Sequence, residues 1–257
     1  MREEQTMNKL SVKYLVITFA IMILCWGTCV TCSICGIYLS DNFWLYLPYI
    51  LGGFSPTIAS FIVLKQSGSV KNFKGWLKDI FDFKHKPLTY LMVIVFNIIV
   101  ILPQCLVSGY EPGAPLYAIF VLVPMMLFGG GLEEAGWRHI LQPELEKKFG
   151  FTIATIFVSI IWWLWHLPLF FITGISQDGM SYWAFGIGVL GLSFALAAIK
   201  NKTNSTWLCI LFHSIVNSLP VIFTVNSDIP GNIVASVLLI LVAYIIIKVD
   251  NKGKFLV

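Results

Sequence analysis

The stretch Gly130-Gly131-Leu132-Glu133-Glu134-Ala135-Gly136-Trp137-Arg138 lies within a long apolar run and carries two adjacent carboxylates and a guanidinium. Each such charge costs about 2.5–3.5 kcal/mol at the centre of a bilayer on insertion scales. Ionisable residues inside a membrane are therefore candidates for function, provided that partners can be found for them. Later apolar segments supply such partners in His166, His213 and Asn217. The sequence predicts a membrane protein organised around these residues.

The distribution of charge predicts how the chain lies in the membrane. Of its 257 residues, 58% are hydrophobic and 12% are charged, whereas soluble domains carry about 25% charged residues. Apart from Arg138, the basic residues cluster at the N-terminus and in residues 65–86, 147–148, 200–202 and 248–254. The loops between these clusters, around Asp41, Glu111, Asp178 and Asp228, contain none. The positive-inside rule then places both termini in the cytoplasm. This pattern explains the net charge of +4 without nucleic acid as a partner.

The apolar runs predict an all-α polytopic membrane protein with eight transmembrane helices, since a helix needs about 20 residues to cross the hydrocarbon core. We expect these helices at about residues 12–38, 43–64, 88–107, 116–145, 151–172, 182–199, 206–223 and 233–248. Between residues 65 and 86, apolar residues recur at helical spacing among lysines, which predicts an amphipathic helix at the membrane interface. The whole chain, residues 1–257, is expected to form one integral membrane domain.

The six cysteines do not form the pattern of a disulfide framework. Four of them lie in the first apolar segment, and the other two are isolated in later ones. A straight helix does not bring four thiolates to one point, as a tetrahedral metal site requires. We interpret the cysteines as small apolar residues.

Helical spacing separates the two adjacent carboxylates. Glu134 and Arg138 are four residues apart and share a helix face, with the acid on the favourable N-terminal side of the base. Glu133 points about 100° away from Glu134 and has no partner in its own helix. A buried carboxylate without a nearby cation is suited to proton transfer, so Glu133 is the predicted base.

The remaining polar residues are predicted to meet Glu133. A turn at about residues 149–150 makes the fourth and fifth spans an antiparallel hairpin, which brings Glu133 and His166 to one depth. Four residues apart on the seventh span, His213 and Asn217 share a face. Taken singly, a buried histidine or asparagine is more often a structural hydrogen-bonding residue, and the Glu134–Arg138 pair also has a purely structural interpretation.

Three motifs then resemble those of one family. They are E-E-x-x-x-R at Glu133, Glu134 and Arg138, aromatic-x-x-x-His from Trp162 to His166, and His-x-x-x-Asn from His213 to Asn217. In this order they are similar to the motifs of the CAAX prenyl protease and bacteriocin-processing (CPBP, or Abi) intramembrane endopeptidases. The resemblance covers residues 115–220 approximately. The chain departs from the family pattern at Trp162, where Phe is usual, and at His139, where Gly commonly follows the Arg.

The resemblance implies an endopeptidase with a catalytic core at about residues 115–220 and an active site that opens towards the cytoplasm. Glu133 with His166 would activate water, and His213 with Asn217 would stabilise the oxyanion. Glu134 and Arg138 would support them. Members of the family are also described as metalloproteases, for which Glu133, His166 and His213 would be the zinc ligands. We favour the glutamate-type, metal-free mechanism without a required cofactor, because the chain has no His-Glu-x-x-His pair.

Other functions remain open at this level. Ser193 and His213 faintly resemble a rhomboid-type dyad, but that interpretation leaves Glu133 and Arg138 without a role. A transporter, or a non-catalytic immunity or scaffold protein, would also bury charges within membrane spans. For the peptidase, the expected partners are a membrane-associated peptide or protein substrate and the lipid bilayer. The expected location is a bacterial plasma membrane.

Overall fold

A computed structural model describes residues 2–225 and 229–250 of the chain, and most of these residues are helical, as predicted. The helices are α1 (Arg2–Ile34), α2 (Tyr46–Gly53), α3 (Ser55–Gln66), α4 (Phe73–Ile80), α5 (Pro87–Ser108), α6 (Ile119–Phe128), α7 (Glu134–Gly136), α8 (Gln142–Trp165), α9 (Tyr182–Thr203), α10 (Thr206–Ile222) and α11 (Ile229–Asp250). The strands β1 (Tyr110–Pro112) and β2 (Phe223–Val225) pair antiparallel, and Trp137–Leu141 forms a π-helical turn.

Side-chain caps fix where several helices begin. Asn72 accepts a hydrogen bond from a backbone N–H in the first turn of α4, and Ser181 and Ser205 do the same for α9 and α10. Such caps satisfy N–H groups that have no partner within the helix. At the other end of α9, Asn204 adopts a left-handed conformation with a φ of 50°. Asn204 and Ser205 together therefore separate α9 from α10 sharply.

The predicted turn near residues 149–150 is present. Gly150 has a φ of 72° and a ψ of 171°, which interrupts the helical backbone within α8. Residues on either side of this turn face each other: Gln142 Nε2 donates to Thr155 Oγ1 at 3.1 Å, and Trp162 Nε1 donates to Glu133 Oε2 at 2.9 Å. These two contacts define an antiparallel hairpin, as the sequence predicts.

The fourth span is not the continuous helix that we predicted over residues 116–145. Helix α6 ends at Phe128, and Gly130 has a φ of 135° that no helix accommodates. The chain resumes with a 3₁₀ turn at Gly131–Glu133, followed by α7 and the π-helical turn. The prediction was wrong because the apolar run continues across these glycines, and hydropathy does not record backbone conformation.

Among the described residues, five stretches are long and apolar enough to cross a membrane: Lys9–Ile34, Pro87–Ser108, Gly131–Phe171, Tyr182–Thr203 and Ile229–Lys248. Of these, Gly131–Phe171 contains the turn at Gly150. A sixth candidate is the pair Phe43–Gly53 and Ser55–Gln66, which is bent by 51°. Leu116–Phe128 and Thr206–Ile222 are apolar but shorter. The chain therefore has the composition of a polytopic membrane protein, and the number of eight crossings stays a prediction.

Contacts between loops gather them at two ends of the helices. Asn201 donates to Glu146, which joins two of the lysine-bearing loops. Among the loops without lysine, the backbone N–H of Thr173 donates to Ser33 Oγ at 3.2 Å, and β1 pairs with β2. A helix of 22 residues such as α5 separates these ends by about 33 Å. The grouping agrees with the predicted alternation of loops, although Asp228, Lys252 and Lys254 lie outside the described residues.

Several charged and polar groups are buried, and many large apolar side chains are exposed on the outer surface. Glu134, Arg138 and Ser193 are fully buried, whereas Phe120 is 81% exposed and Leu106 is 76% exposed. Large apolar side chains on an outer surface suit contact with lipid chains, and buried charges mark a functional interior. All six cysteines are free, so the expectation that they form no disulfide framework is confirmed.

The predicted amphipathic helix between residues 65 and 86 is confirmed as α4. Its Trp76 and Ile80 are buried, and Trp76 Nε1 donates to Ser60 Oγ at 3.2 Å. The opposite face carries exposed lysines at positions 74 and 78. One side of α4 is thus fixed to α3, and the other presents positive charge, as expected at an anionic membrane surface.

We expect labelling of introduced cysteines to report the predicted topology. In a background without native cysteines, Ser69→Cys should react with an impermeant thiol reagent only from the cytoplasmic side. Asp178→Cys should react only from the opposite side, because its loop carries no basic residue. Both positions are exposed. Reaction of both from one side would contradict the predicted topology.

Candidate functional site

The site begins at the break between α6 and α7. The φ of 135° at Gly130 belongs to the region that favours glycine. A Cβ at this position would collide with the amide of Asn217 and would lie 3.2 Å from His213 Nε2. On the residue before, Gly129 O accepts a hydrogen bond from Asn217 Nδ2 at 3.0 Å. The missing side chain therefore lets the broken helix lie directly against His213 and Asn217 on α10.

Glu134 lies between two basic side chains. Its Oε2 is 3.6 Å from Arg138 Nε, and neither side chain has any exposed surface. Its Oε1 is 2.8 Å from His213 Nδ1. Arg138 also donates from Nη2 to Ser193 Oγ at 3.2 Å. The predicted contact between Glu134 and Arg138 is present, and His213 on α10 joins it.

Trp162 connects the parts of the site. Its indole N–H donates to Glu133 Oε2, and its ring lies 5.3 Å from that of His213 and 5.6 Å from that of His166 between centroids. Arg138 Cζ lies over the same ring, 5.5 Å from its centroid. Sequence reasoning treated Trp162 as aromatic packing only and missed this donor. The signal that could have revealed it is the hairpin, which faces Trp162 towards Glu133.

His166 is held by its own helix. Its Nδ1 lies 2.8 Å from the backbone oxygen of Trp162, and a carbonyl oxygen only accepts, so Nδ1 carries the proton. In the neutral ring, Nε2 then presents a lone pair. The ring packs against Trp165 and Phe185, with centroids 4.7 and 4.9 Å away. This environment fixes both the tautomer and the orientation of His166.

His213 is oriented in the same way by a side chain. A carboxylate oxygen accepts, so the contact with Glu134 assigns a proton to Nδ1 of His213. Its Nε2 then lies beside Gly130, next to Asn217. The shared helix face predicted for His213 and Asn217 is therefore present. Asn217 has two amide hydrogens, and Gly129 O takes one of them.

Small differences in exposure separate two groups of polar side chains. Glu133, His166 and His213 retain 8%, 7% and 5% of their surface, while Glu134 and Arg138 retain none. A reacting group must be reached by substrate and water, whereas an orienting group need not be. The first three side chains therefore retain a small exposed fraction that Glu134 and Arg138 lack.

Comparison with known proteins places these residues in a family context. The family model for Type II CAAX prenyl endopeptidases, Rce1-like, matches residues 115–219, which contain all three motifs. CAAX prenyl protease 2 of Methanococcus maripaludis is 27% identical over an alignment of 268 residues. The alignment covers 94% of this chain and 94% of the relative. The chain is similar to the Rce1-like CAAX prenyl endopeptidases. The resemblance predicted from the motifs is confirmed, and a protease-like function is supported.

His139, which follows Arg138 where the family motif commonly has Gly, lies to one side of the site. His139 Nδ1 is 2.8 Å from Thr206 Oγ1 at the beginning of α10. Lys200 Nζ also contacts this hydroxyl, at 3.3 Å. His139 thus joins the end of the site helix to the junction of α9 and α10, as expected for a residue that points away from Glu133.

Zinc is the metal that the CAAX endopeptidase resemblance allows, but the side chains do not fit it. In the described parts of the chain, no three His, Cys, Asp or Glu side chains come together as metal ligands. We therefore derive no reaction step through a metal.

The rhomboid-type interpretation also lacks its defining contact. Ser193 Oγ accepts from Arg138 Nη2 at 3.2 Å, and His213 Nδ1 contacts Glu134 at 2.8 Å. Within residues 2–225 and 229–250, no hydrogen bond joins Ser193 to His213. The serine therefore belongs to the surroundings of Arg138.

We expect Glu134→Gln to lower the stability of the folded protein. It removes the charge between Arg138 and His213, and breaking a buried ion pair costs about 3–5 kcal/mol. Arg138→Ala should have a similar effect, because it leaves Glu134 buried without its cation. Thermal unfolding in detergent measures both, with the exposed Glu111→Gln as the matched control. Unchanged melting for Glu134→Gln would contradict the structural importance of this pair.

Proposed function

We propose that this chain is an intramembrane endopeptidase that hydrolyses a peptide bond near the cytoplasmic face of the membrane. The observation that carries the proposal is the meeting of three motifs from different helices around Trp162. Glu133 binds its indole N–H, and His166 and His213 pack against its ring. Three titratable groups gathered in one buried cluster are typical of a functional site.

In the first step, Glu133 and His166 activate a water molecule. The Glu133 carboxylate removes a proton from the water, whose oxygen attacks the carbonyl carbon of the scissile peptide bond. His166 Nε2 accepts a hydrogen bond from the second hydrogen of the water, because its Nδ1 proton is held by Trp162 O. Positioned proton transfer of this kind contributes about 10²–10⁴ in rate.

His213 and Asn217 stabilise the negative charge that develops on the carbonyl oxygen. Asn217 offers the amide hydrogen that Gly129 O does not use, and His213 offers Nε2–H when its ring carries both protons. Glu134 is the counter-ion of that imidazolium, at 2.8 Å from its Nδ1. The Arg138 guanidinium lies on the other side of Glu134, with Nε 3.6 Å from Oε2. Two convergent donors are the requirement of an oxyanion site.

In the last step, the tetrahedral intermediate collapses and the C–N bond breaks. The leaving nitrogen takes the proton that Glu133 received from water, which returns Glu133 to its carboxylate form. The products are a carboxylic acid on one fragment, which releases its proton to solvent and becomes a carboxylate, and an amine on the other. This cycle balances without a cofactor.

The substrate that we propose is a peptide or protein segment anchored at the membrane. The matching family model and the relative from Methanococcus maripaludis are named for CAAX prenyl substrates. A C-terminal peptide bearing a prenylated cysteine is therefore the first probe to use. We place the protein in a prokaryotic plasma membrane, with its active site opening towards the cytoplasm.

The test is cleavage by the purified chain in liposomes. Quenched fluorescent peptides should be offered in prenylated, acylated and unmodified forms, with Glu133→Gln as the comparator and mass spectrometry to locate the cleaved bond. We expect the wild-type chain to cleave an anchored form and Glu133→Gln to cleave none. Equal cleavage by both would overturn the role of Glu133, and no cleavage of any form by the wild-type chain would overturn the peptidase proposal. Transport of peptide without cleavage would favour a transporter.

A further inference from the structure

The hydrogen bond between Trp162 and Glu133 depends on the tryptophan that this chain has where the family motif usually has Phe. Nε1 of the indole lies 2.9 Å from Oε2 of the carboxylate, between two separate turns of the hairpin. Trp162 is 2% exposed and Glu133 is 8% exposed, so water does not replace this bond easily. The indole nitrogen is a donor only, so the carboxylate is the acceptor.

A carboxylate held at one oxygen is asymmetric. With Oε2 bound to the indole, rotation of the Glu133 side chain is restricted, and Oε1 becomes the oxygen that can face a water. We propose that Trp162 is a positioning residue that selects Oε1 of Glu133 as the proton acceptor. The inference rests on the proposed function and names the device that orients its base.

The same residue also orients the second group that is proposed to hold the water. His166 Nδ1 bonds the backbone oxygen of Trp162 at 2.8 Å, while the indole bonds Glu133. One residue thus fixes the angle between the carboxylate and the imidazole. The backbone contact is available to any residue at position 162, but the contact to Glu133 requires a side-chain donor at this point.

Phenylalanine, the usual residue of the family motif, separates packing from hydrogen bonding. A benzene ring at position 162 would still pack against His166 and His213 and offer a face to Arg138. It would have no N–H for Glu133. Trp162→Phe is therefore the variant that removes the proposed positioning contact while it keeps an aromatic ring.

The first measurement is a double-mutant cycle on thermal unfolding of the full chain in detergent. Trp162→Phe, Glu133→Leu and the double variant are compared with the wild type. We expect Trp162→Phe to lower the melting temperature by about 3–8 °C when Glu133 is present. In the Glu133→Leu background the same change should have a much smaller effect, because the acceptor is gone. Additive shifts would overturn the proposed contact.

The second measurement is steady-state cleavage of an anchored peptide. Trp162→Phe should lower kcat by about 10–100-fold, since a misplaced catalytic group loses up to about 10² in rate. KM should change little, because substrate binding does not involve the indole. Trp163→Phe is the matched control: Trp163 is adjacent on the same helix and donates its indole N–H to Tyr182 O at 3.1 Å. We expect that control to keep kcat within about twofold of the wild type.

The two measurements separate this inference from the proposed function. Coupling in the unfolding cycle together with a kcat loss specific to Trp162→Phe supports both. If the cycle shows coupling and the wild-type chain cleaves no anchored peptide, the contact stands and the proposed function is wrong. If cleavage occurs and neither Glu133→Gln nor Trp162→Phe affects it, Glu133 is not the base and the positioning role is overturned. If Glu133→Gln abolishes cleavage but Trp162→Phe has the kcat of Trp163→Phe, the positioning role is overturned and the function stands.

Discussion

Replacement of Glu133 by glutamine is expected to abolish peptide cleavage while the protein remains folded. The amide keeps the shape of the side chain and an oxygen that can accept the Trp162 N–H. It cannot take a proton from water. Because general-base catalysis contributes about 10²–10⁴, we expect kcat to fall by about 10³ or more. The measurement is cleavage of an anchored peptide in liposomes at matched amounts of folded protein.

Two controls make that result interpretable. Glu111→Gln changes an exposed carboxylate in β1, among the loops that carry no lysine, and should leave cleavage unchanged. Thermal unfolding of Glu133→Gln should stay close to that of the wild type, in contrast to Glu134→Gln. Cleavage that persists in Glu133→Gln would remove Glu133 as the proposed base, whereas no cleavage by the wild-type chain would favour a scaffold or immunity protein.

Local spacing was sufficient to predict several parts of the site. The i, i+4 relation fixes Glu134 beside Arg138 in any regular helix, and it fixes His213 beside Asn217 in the same way. The turn at Gly150 follows from a lysine pair and a glycine that interrupt an apolar run. These features depend only on residues close together in the chain, so one sequence reveals them.

The features that the sequence did not predict depend on contacts between distant segments. The break at Gly130 is required by the approach of α10, whose Asn217 occupies the space of a side chain there. The bond from His213 to Glu134 joins residues 79 positions apart. Hydropathy marks which segments are apolar, but it does not state which polar atoms meet between them.

The partner of Glu133 illustrates the same limit. Sequence reasoning placed His166 opposite Glu133 at one depth, whereas the indole of Trp162, one helical turn earlier, makes the hydrogen bond. Trp and Phe are equivalent as apolar aromatics in a motif, and they differ only in the indole N–H. A single donor atom therefore decides the local chemistry, and only the three-dimensional arrangement shows that it is used.

Asn217 provides the second large effect that we expect. Asn217→Ala should lower kcat by about 10²–10³, as the loss of a single oxyanion donor does. KM should change little, because the donor acts on charge that appears in the transition state. Asn217 also donates to Gly129 O at 3.0 Å, so the substitution removes a contact to the helix break as well as the oxyanion donor. The variant should therefore be compared with Ser218→Ala, on the next position of α10, whose hydroxyl bonds Ser214 O at 2.7 Å.

The same variant distinguishes an oxyanion site from a zinc site. Oxyanion stabilisation uses the amide N–H of Asn217 and the Nε2–H of His213, whereas zinc needs a lone pair on His213 and makes no use of an amide donor. We therefore expect purified protein to contain no stoichiometric metal and to keep its activity in chelators, with Asn217→Ala impaired in kcat. If the protein is a metalloprotease, elemental analysis should instead find bound zinc. One zinc per chain, lost in His166→Ala or His213→Ala, would assign Glu133, His166 and His213 to the metal and leave Asn217 outside its ligands.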